Sequence, residues 1–288
     1  MKSKGMKLIF GGASLALLSA SAPALADDDA SPWGTLSAYV AIQSDYRFRG
    51  ISQNNQDPSP EASLNWTGPE GFYAGTWLAK VNFQSPVGDG TSVSDNTSLE
   101  TDVYAGKHTD LWGTDLNLEA YLYTYPDHNI ATNITGSHWH DTYFEAIAAL
   151  SHTFGPITLT GTAAYSPNFF AQSGTGWYIE GTASYAVNDW LSLSGDLGHQ
   201  WVSRVDNLTI PNTTNIDNGE SFGLQSSGLP YTHWDLGATA TYKAFSLDVR
   251  YIDTNLSKTQ CYWTQGAKDL CGATAVATLT YNISAFPW

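Results

Sequence analysis

Leu36–Gly50, LSAYVAIQSDYRFRG, is the stretch on which the reading of the whole chain turns. Leu36, Ala38, Val40, Ile42, Ser44, Tyr46 and Phe48 carry no charge and are mostly apolar. The residues between them, Ser37, Tyr39, Ala41, Gln43, Asp45, Arg47 and Arg49, are mostly polar and end in three charges. A period of two is a strand with two unlike faces. Globular strands usually run about five or six residues, and this run is longer. A strand of about ten residues, apolar on one side and charged on the other, suits a barrel wall in lipid. A long strand of a soluble sandwich reads the same way in isolation, so the rest of the chain must decide.

Eleven further alternating runs follow. Their apolar faces begin with Ala62, Leu64 and Trp66, then Tyr73, Gly75, Trp77, Ala79, Val81 and Phe83, the latter set against Lys80. Leu99–Ala105, Leu116–Leu122, Phe144–Leu150, Ile157–Tyr165, Trp177–Tyr185, Leu191–Trp201, Trp234–Tyr242, Phe245–Tyr251 and Ala273–Ile283 continue the pattern at every second residue. Connections alternate between long loops and tight turns, as in single-chain bacterial outer-membrane barrels with an even strand number. The sequence therefore predicts an all-β fold, a transmembrane antiparallel barrel of about twelve strands, with long loops outside and short turns in the periplasm.

Charge placement supports lipid. None of the twelve apolar faces carries Asp, Glu, Lys or Arg, and a mid-bilayer Arg or Lys on that face costs roughly 2–4 kcal/mol. The opposite faces hold Asp45, Glu61, Glu100, Asp102, Asp115, Glu119, Glu145, Glu180, Asp196, Asp235 and Asp248, with Arg47, Arg49, Lys80 and Arg250. A sandwich core would be uncharged too, but Trp66, Trp77, Trp177, Trp201, Trp234, Tyr242 and Phe245 near strand ends match the aromatic girdles of a membrane barrel. The expected pore lining is Arg47, Arg49, Lys80, Glu100, Asp102, Asp115, Glu119, Glu145 and Arg250. Arg47 and Arg49 are placed on strand one, across from the acids of strands four to six, with Glu61 as a rival partner for Arg47. The excess of acids predicts cation preference.

Residues 1–26 read as a secretory signal peptide: Lys2, Lys4 and Lys7, an apolar run Leu8–Ala20, and the small-residue site Ala24-Leu25-Ala26. Residues 27–34 are a lead-in and 35–288 the barrel. The full chain has 12 Lys+Arg against 27 Asp+Glu, and loss of the leader removes three lysines and no acid. Such acidity argues against nucleic acid as a partner; the expected partners are outer-membrane lipid and small hydrophilic solutes. Cys261 and Cys271, in a polar loop of an exported chain, are expected to form a disulfide, and no cofactor or metal is expected there.

Ser44–Gln53, SDYRFRGISQ, resembles the opening-strand signature of the TorF family of proteobacterial outer-membrane porins. The similarity continues through Pro60–Trp66 and Gly71–Ala79 and implies an outer-membrane pore without naming a solute. The chain ends Ala285-Phe286-Pro287-Trp288, its aromatics out of phase with Tyr281 and Ile283, so either a bulge resets the phase or the tail leaves the sheet.

Three other features are weighed. Gly219-Glu-Ser221-Phe-Gly223 matches a nucleophile-elbow pattern, but it lies in a long loop of an all-β chain, where the strand-to-helix turn is missing. His138, His140 and Asp141, with Asp127 and His128, could gather a metal, but such a group is more often a polar outer loop. His152 and His199 fall in lipid-face phase near strand ends, where an interfacial role suffices. The expectation is a non-enzymatic passive channel; a barrel hydrolase and a plugged structural or adhesive barrel stay open as alternatives.

Overall fold

The computed structural model describes residues 32–86, 91–94, 97–126, 142–203 and 230–287 of the chain. Twelve strands form a closed antiparallel barrel. They are β1 (Thr35–Gln43), β2 (Ser59–Thr67), β3 (Phe72–Lys80), β4 (Leu99–Leu111), β5 (Thr114–Thr124) and β6 (Tyr143–Phe154). β7 (Ile157–Ser166), β8 (Gly176–Asn188), β9 (Leu191–Val202), β10 (Tyr231–Tyr242), β11 (Phe245–Thr254) and β12 (Thr274–Pro287) complete the wall. Each strand pairs with the next, and β12 closes on β1. Closure removes every sheet edge, the only way a sheet satisfies its backbone in lipid.

Turn chemistry fixes the short connections. Trp112 (φ 57°) and Gly113 (φ 87°) join β4 to β5 with two left-handed residues, the geometry of a type I′ hairpin. At the β8–β9 turn the Asn188 side chain accepts from the backbone N–H of Trp190 and Leu191, so a polar side chain closes the turn in place of a glycine.

The outer face carries Val40, Ile42, Leu64, Val103, Leu118, Leu150, Ile179, Leu197, Leu236 and Leu279 as an exposed apolar belt. Trp190, Tyr242 and Phe245 ring it at the turn end, and Phe144, Trp177 and Trp201 at the loop end. His152 and His199 lie in this outer phase, their rings 4.3 Å from Phe154 and 4.2 Å from Trp201. Among the described residues, the interior holds most of the strand carboxylates and most of the tyrosines.

β3 corrects the expected phase. Trp77 is 1% exposed and Leu78 38%, so Tyr73, Trp77 and Ala79 face inward and Lys80 lies outside. Trp and Tyr suit either face because each carries a polar edge. Tyr73 uses that edge inside, donating to Glu119 Oε2 at 2.6 Å, with Asn117 at 2.9 Å from the same hydroxyl.

At the C-terminus a one-residue register shift lies between Leu36 and Ala38 of β1, which pair with Phe286 and Ile283. A bulge therefore resets the phase, and the tail stays in the sheet. In the loop before β12, α1 (Lys258–Gln265) is capped by Ser257, whose hydroxyl accepts from the Gln260 N–H. Cys261 and Cys271 are disulfide-bonded. The leader, the His128–Asp141 group and the Gly219–Gly223 motif lie outside the described residues.

Candidate functional site

The decisive stretch does not continue the wall. β1 ends at Gln43, and after a last backbone bond from Ser44 to Ala277 the chain turns into the lumen. There Arg47 pairs with Ser52 and Phe48 with Ile51 in a short ribbon. Arg49 (φ 49°) and Gly50 (φ 85°) form its two-residue turn. A Cβ on Gly50 would lie 2.8 Å from His233 Cβ and 2.7 Å from Thr254 Cγ2, so only glycine lets the tip rest against the wall of β10 and β11. The placement of Arg47 and Arg49 on strand one is thereby corrected: both stand on a plug inside the barrel.

Two sets of contacts hold the plug. At its base, Arg47 Nε donates to Asp45 Oδ2 at 2.7 Å, and its Nη1 to the carbonyls of Gly50, Leu270 and Gly272 at 3.0, 3.0 and 3.1 Å. Ser52 N–H also donates to Leu270 O, tying the ribbon to the disulfide loop. Arg47 thus pairs with Asp45, not with Glu61. At the tip, Arg49 makes a two-pronged contact with Glu145, 3.0 Å to Oε1 and 2.7 Å to Oε2, and donates to Gln200 Oε1 at 2.5 Å. Its guanidinium carbon lies 3.9 Å from the Tyr178 ring centre. Fork-to-carboxylate pairing of this kind is the strong form of an ion pair, and both side chains are nearly inaccessible, at 2% and 1%.

Around the plug the wall is aromatic and hydrogen-bonded. Tyr46 packs edge-on to Trp77, and Tyr123 lies flat against Tyr143. Tyr121 donates to Asp102, Tyr123 to Glu145 and Tyr125 to Glu100, each at 3.0–3.1 Å. Glu100, Asp102, Glu119 and Glu145 therefore line the lumen but sit under tyrosine hydroxyls. Asp115 is bonded to His108 Nδ1 near the turn end. Arg250 bridges Asp235 at 2.6 Å and Asp248 at 2.8 Å and donates to Ser194. Lys80 takes no part. Gln200, His233, Tyr121, Tyr123 and Tyr178 are further lumenal residues, and each shares the phase of a lumenal acid on its own strand.

The lumen is thus tight at the loop end, where the plug and tyrosines are buried, and looser toward the turns, where Asp196 and Asp115 remain 15% and 36% exposed. A closed, even-stranded barrel with an apolar outer belt between aromatic rings is a bacterial outer-membrane barrel.

No curated protein matches the sequence. Among solved structures, an outer membrane channel from Pseudomonas putida F1 is similar at 15% identity and TM-score 0.48, over 91% of this chain and 100% of that one. OmpF of Salmonella typhi, in complex with daunomycin, is similar at 9% and 0.43, over 89% and 99%. LpxR of Salmonella typhimurium is similar at 9% and 0.40, over 85% and 99%. A family model matches residues 26–283, nearly the whole barrel, and the chain belongs to that family, Gcw_chp, described as a bacterial protein of unknown function.

Proposed function

We propose that this barrel is a porin-type, non-enzymatic channel for small hydrophilic solutes, and that residues 44–57 form its constriction. The observation that carries the reading is how the lumen is closed. Small eight-stranded barrels are filled by their own wall side chains. Here a separate chain segment closes the loop end, held by side-chain contacts at Arg47 and Arg49. A polar, charged interior has no use as a hydrophobic core, and it gives a hydrated solute partners along its path. The resemblance of Ser44–Gln53 to TorF-family porins agrees with a pore, and in this chain that motif is the constriction itself.

Cation preference is kept as part of the proposal, on altered grounds. With Lys80 outside, eleven inward carboxylates face the guanidiniums of Arg47, Arg49 and Arg250 among the described residues. Arg49 reaches across to Glu145 on the opposite wall, so the two charges neutralise one another at the plug. Selectivity then comes from the surplus acid below it.

Solute-driven swelling of proteoliposomes tests the channel. Arg49→Ala should speed the entry of small polar solutes severalfold over wild type. The tightness of the plug favours one alternative, a structural barrel that never opens. Equal, background-level swelling in both proteins would establish that alternative.

A further inference from the structure

On the lumenal wall made by β8, β9 and β10, Glu180, Asp196 and His233 each bring a donor atom to within 4.8 Å of the other two. Register explains the meeting. Glu180 pairs with Gly198 and Gly198 with His233, so the two side chains flank a position that has none. A Cβ on Gly198 would lie 2.3 Å from His233 Nε2 and 2.5 Å from Tyr178 Oη. Any other residue would fill the space. Asp196, two residues along β9, projects from the same face.

The hydrogens leave a gap between two donors of electron pairs. Tyr178 gives its single hydroxyl proton to Glu180 Oε2 at 2.5 Å. His233 Nε2, 2.7 Å from the same hydroxyl oxygen, then supplies the hydrogen of that contact. In a neutral imidazole this leaves Nδ1 with a lone pair. Nδ1 faces Asp196 Oδ1 at 3.5 Å, and that buried oxygen has no hydrogen-bond donor among the described residues. Two ligands bound to one ion at about 2.0–2.2 Å stand roughly 3.4 Å apart at a tetrahedral angle, close to the spacing seen. Charge agrees with geometry, because Arg250 pairs with the neighbouring Asp235 and Asp248 and forms no ion pair with Asp196.

We propose that Glu180, Asp196 and His233 bind a divalent first-row transition-metal ion. One imidazole with two carboxylates suits Zn²⁺ and its neighbours better than Ca²⁺ or Mg²⁺, which prefer oxygen alone. Asp196 is partly accessible from the lumen, which gives the ion a route in. Tyr178 joins this site to the plug, since its ring lies under Arg49 while its hydroxyl orients His233. The site stands whether or not the pore conducts.

The test uses the full barrel in detergent, purified without a histidine tag, stripped with chelator and titrated calorimetrically with Zn²⁺. Wild type should show one saturable site. Asp196→Asn, which keeps the side chain's size, and Gly198→Ala, whose methyl displaces the His233 ring, should each weaken it at least about tenfold, since even outer-shell changes cost 10–100-fold. The gel shift of an unheated, folded barrel confirms that each variant retains the fold, and Glu180→Gln replaces either one that does not. Absence of saturable binding in wild type overturns the proposal. So does undiminished binding in folded variants, which would place the ion on other histidines.

Discussion

Arg49 occupies a left-handed backbone position, φ 49°, where a residue with a Cβ is disfavoured. Its fork on Glu145 holds it there. Lysine cannot reproduce that fork, so Arg49→Lys should open the pore nearly as much as Arg49→Ala; closure preserved in the lysine variant would show that charge alone suffices. Arg47→Ala leaves Asp45 buried without its ion pair, a loss of roughly 3–5 kcal/mol. Because that loss falls on the plug, amide exchange over residues 44–57 should speed up while β6–β9 amides stay protected. Sequence showed that these arginines exist and lie near an acidic lumen. It could not show the partners of Arg49, because Glu145 and Gln200 are 96 and 151 residues away.

Ribbon, disulfide loop and wall act together at the scale of elements. Arg47 and Ser52 both bond to Leu270, beside Cys271. Reducing the Cys261–Cys271 bond should loosen that anchor, with about 2–4 kcal/mol of restraint lost from the loop. Conductance should rise on adding a membrane-impermeant reductant to the loop side; no change would mean the anchor holds without the bridge. β3 gives a second test. Leu78→Arg places a charge on the lipid face and should destabilise the barrel by up to roughly 2–4 kcal/mol, less if the site lies near an interface, whereas Lys80→Ala should leave ion selectivity unaltered. Urea unfolding and reversal potentials read these out. Strand number and closure were legible because the period of two survives in every strand. The phase of β3 was not, since Tyr73 and Trp77 suit both faces. The end of β1 was not either: alternation runs unbroken through Tyr46 and Phe48, although the chain leaves the wall after Ser44.

The whole molecule is a polar cylinder stopped at one end by its own chain. Closure predicts heat-modifiability: unheated protein should run faster on a denaturing gel than boiled protein, and identical mobility would contradict a closed barrel. The partners of the plug tip, Glu145 and Gln200, come from strands far from it in sequence and meet it only once the barrel is closed, whereas the β8–β10 group is set by the register of neighbouring strands. Single-channel recording of wild type and Arg49→Ala in a planar bilayer tests the central claim, that the inward ribbon sets the pore, most directly. The account predicts small or rare cation-preferring openings in wild type and larger, more persistent ones in the variant. Equal conductance in the two proteins would contradict it.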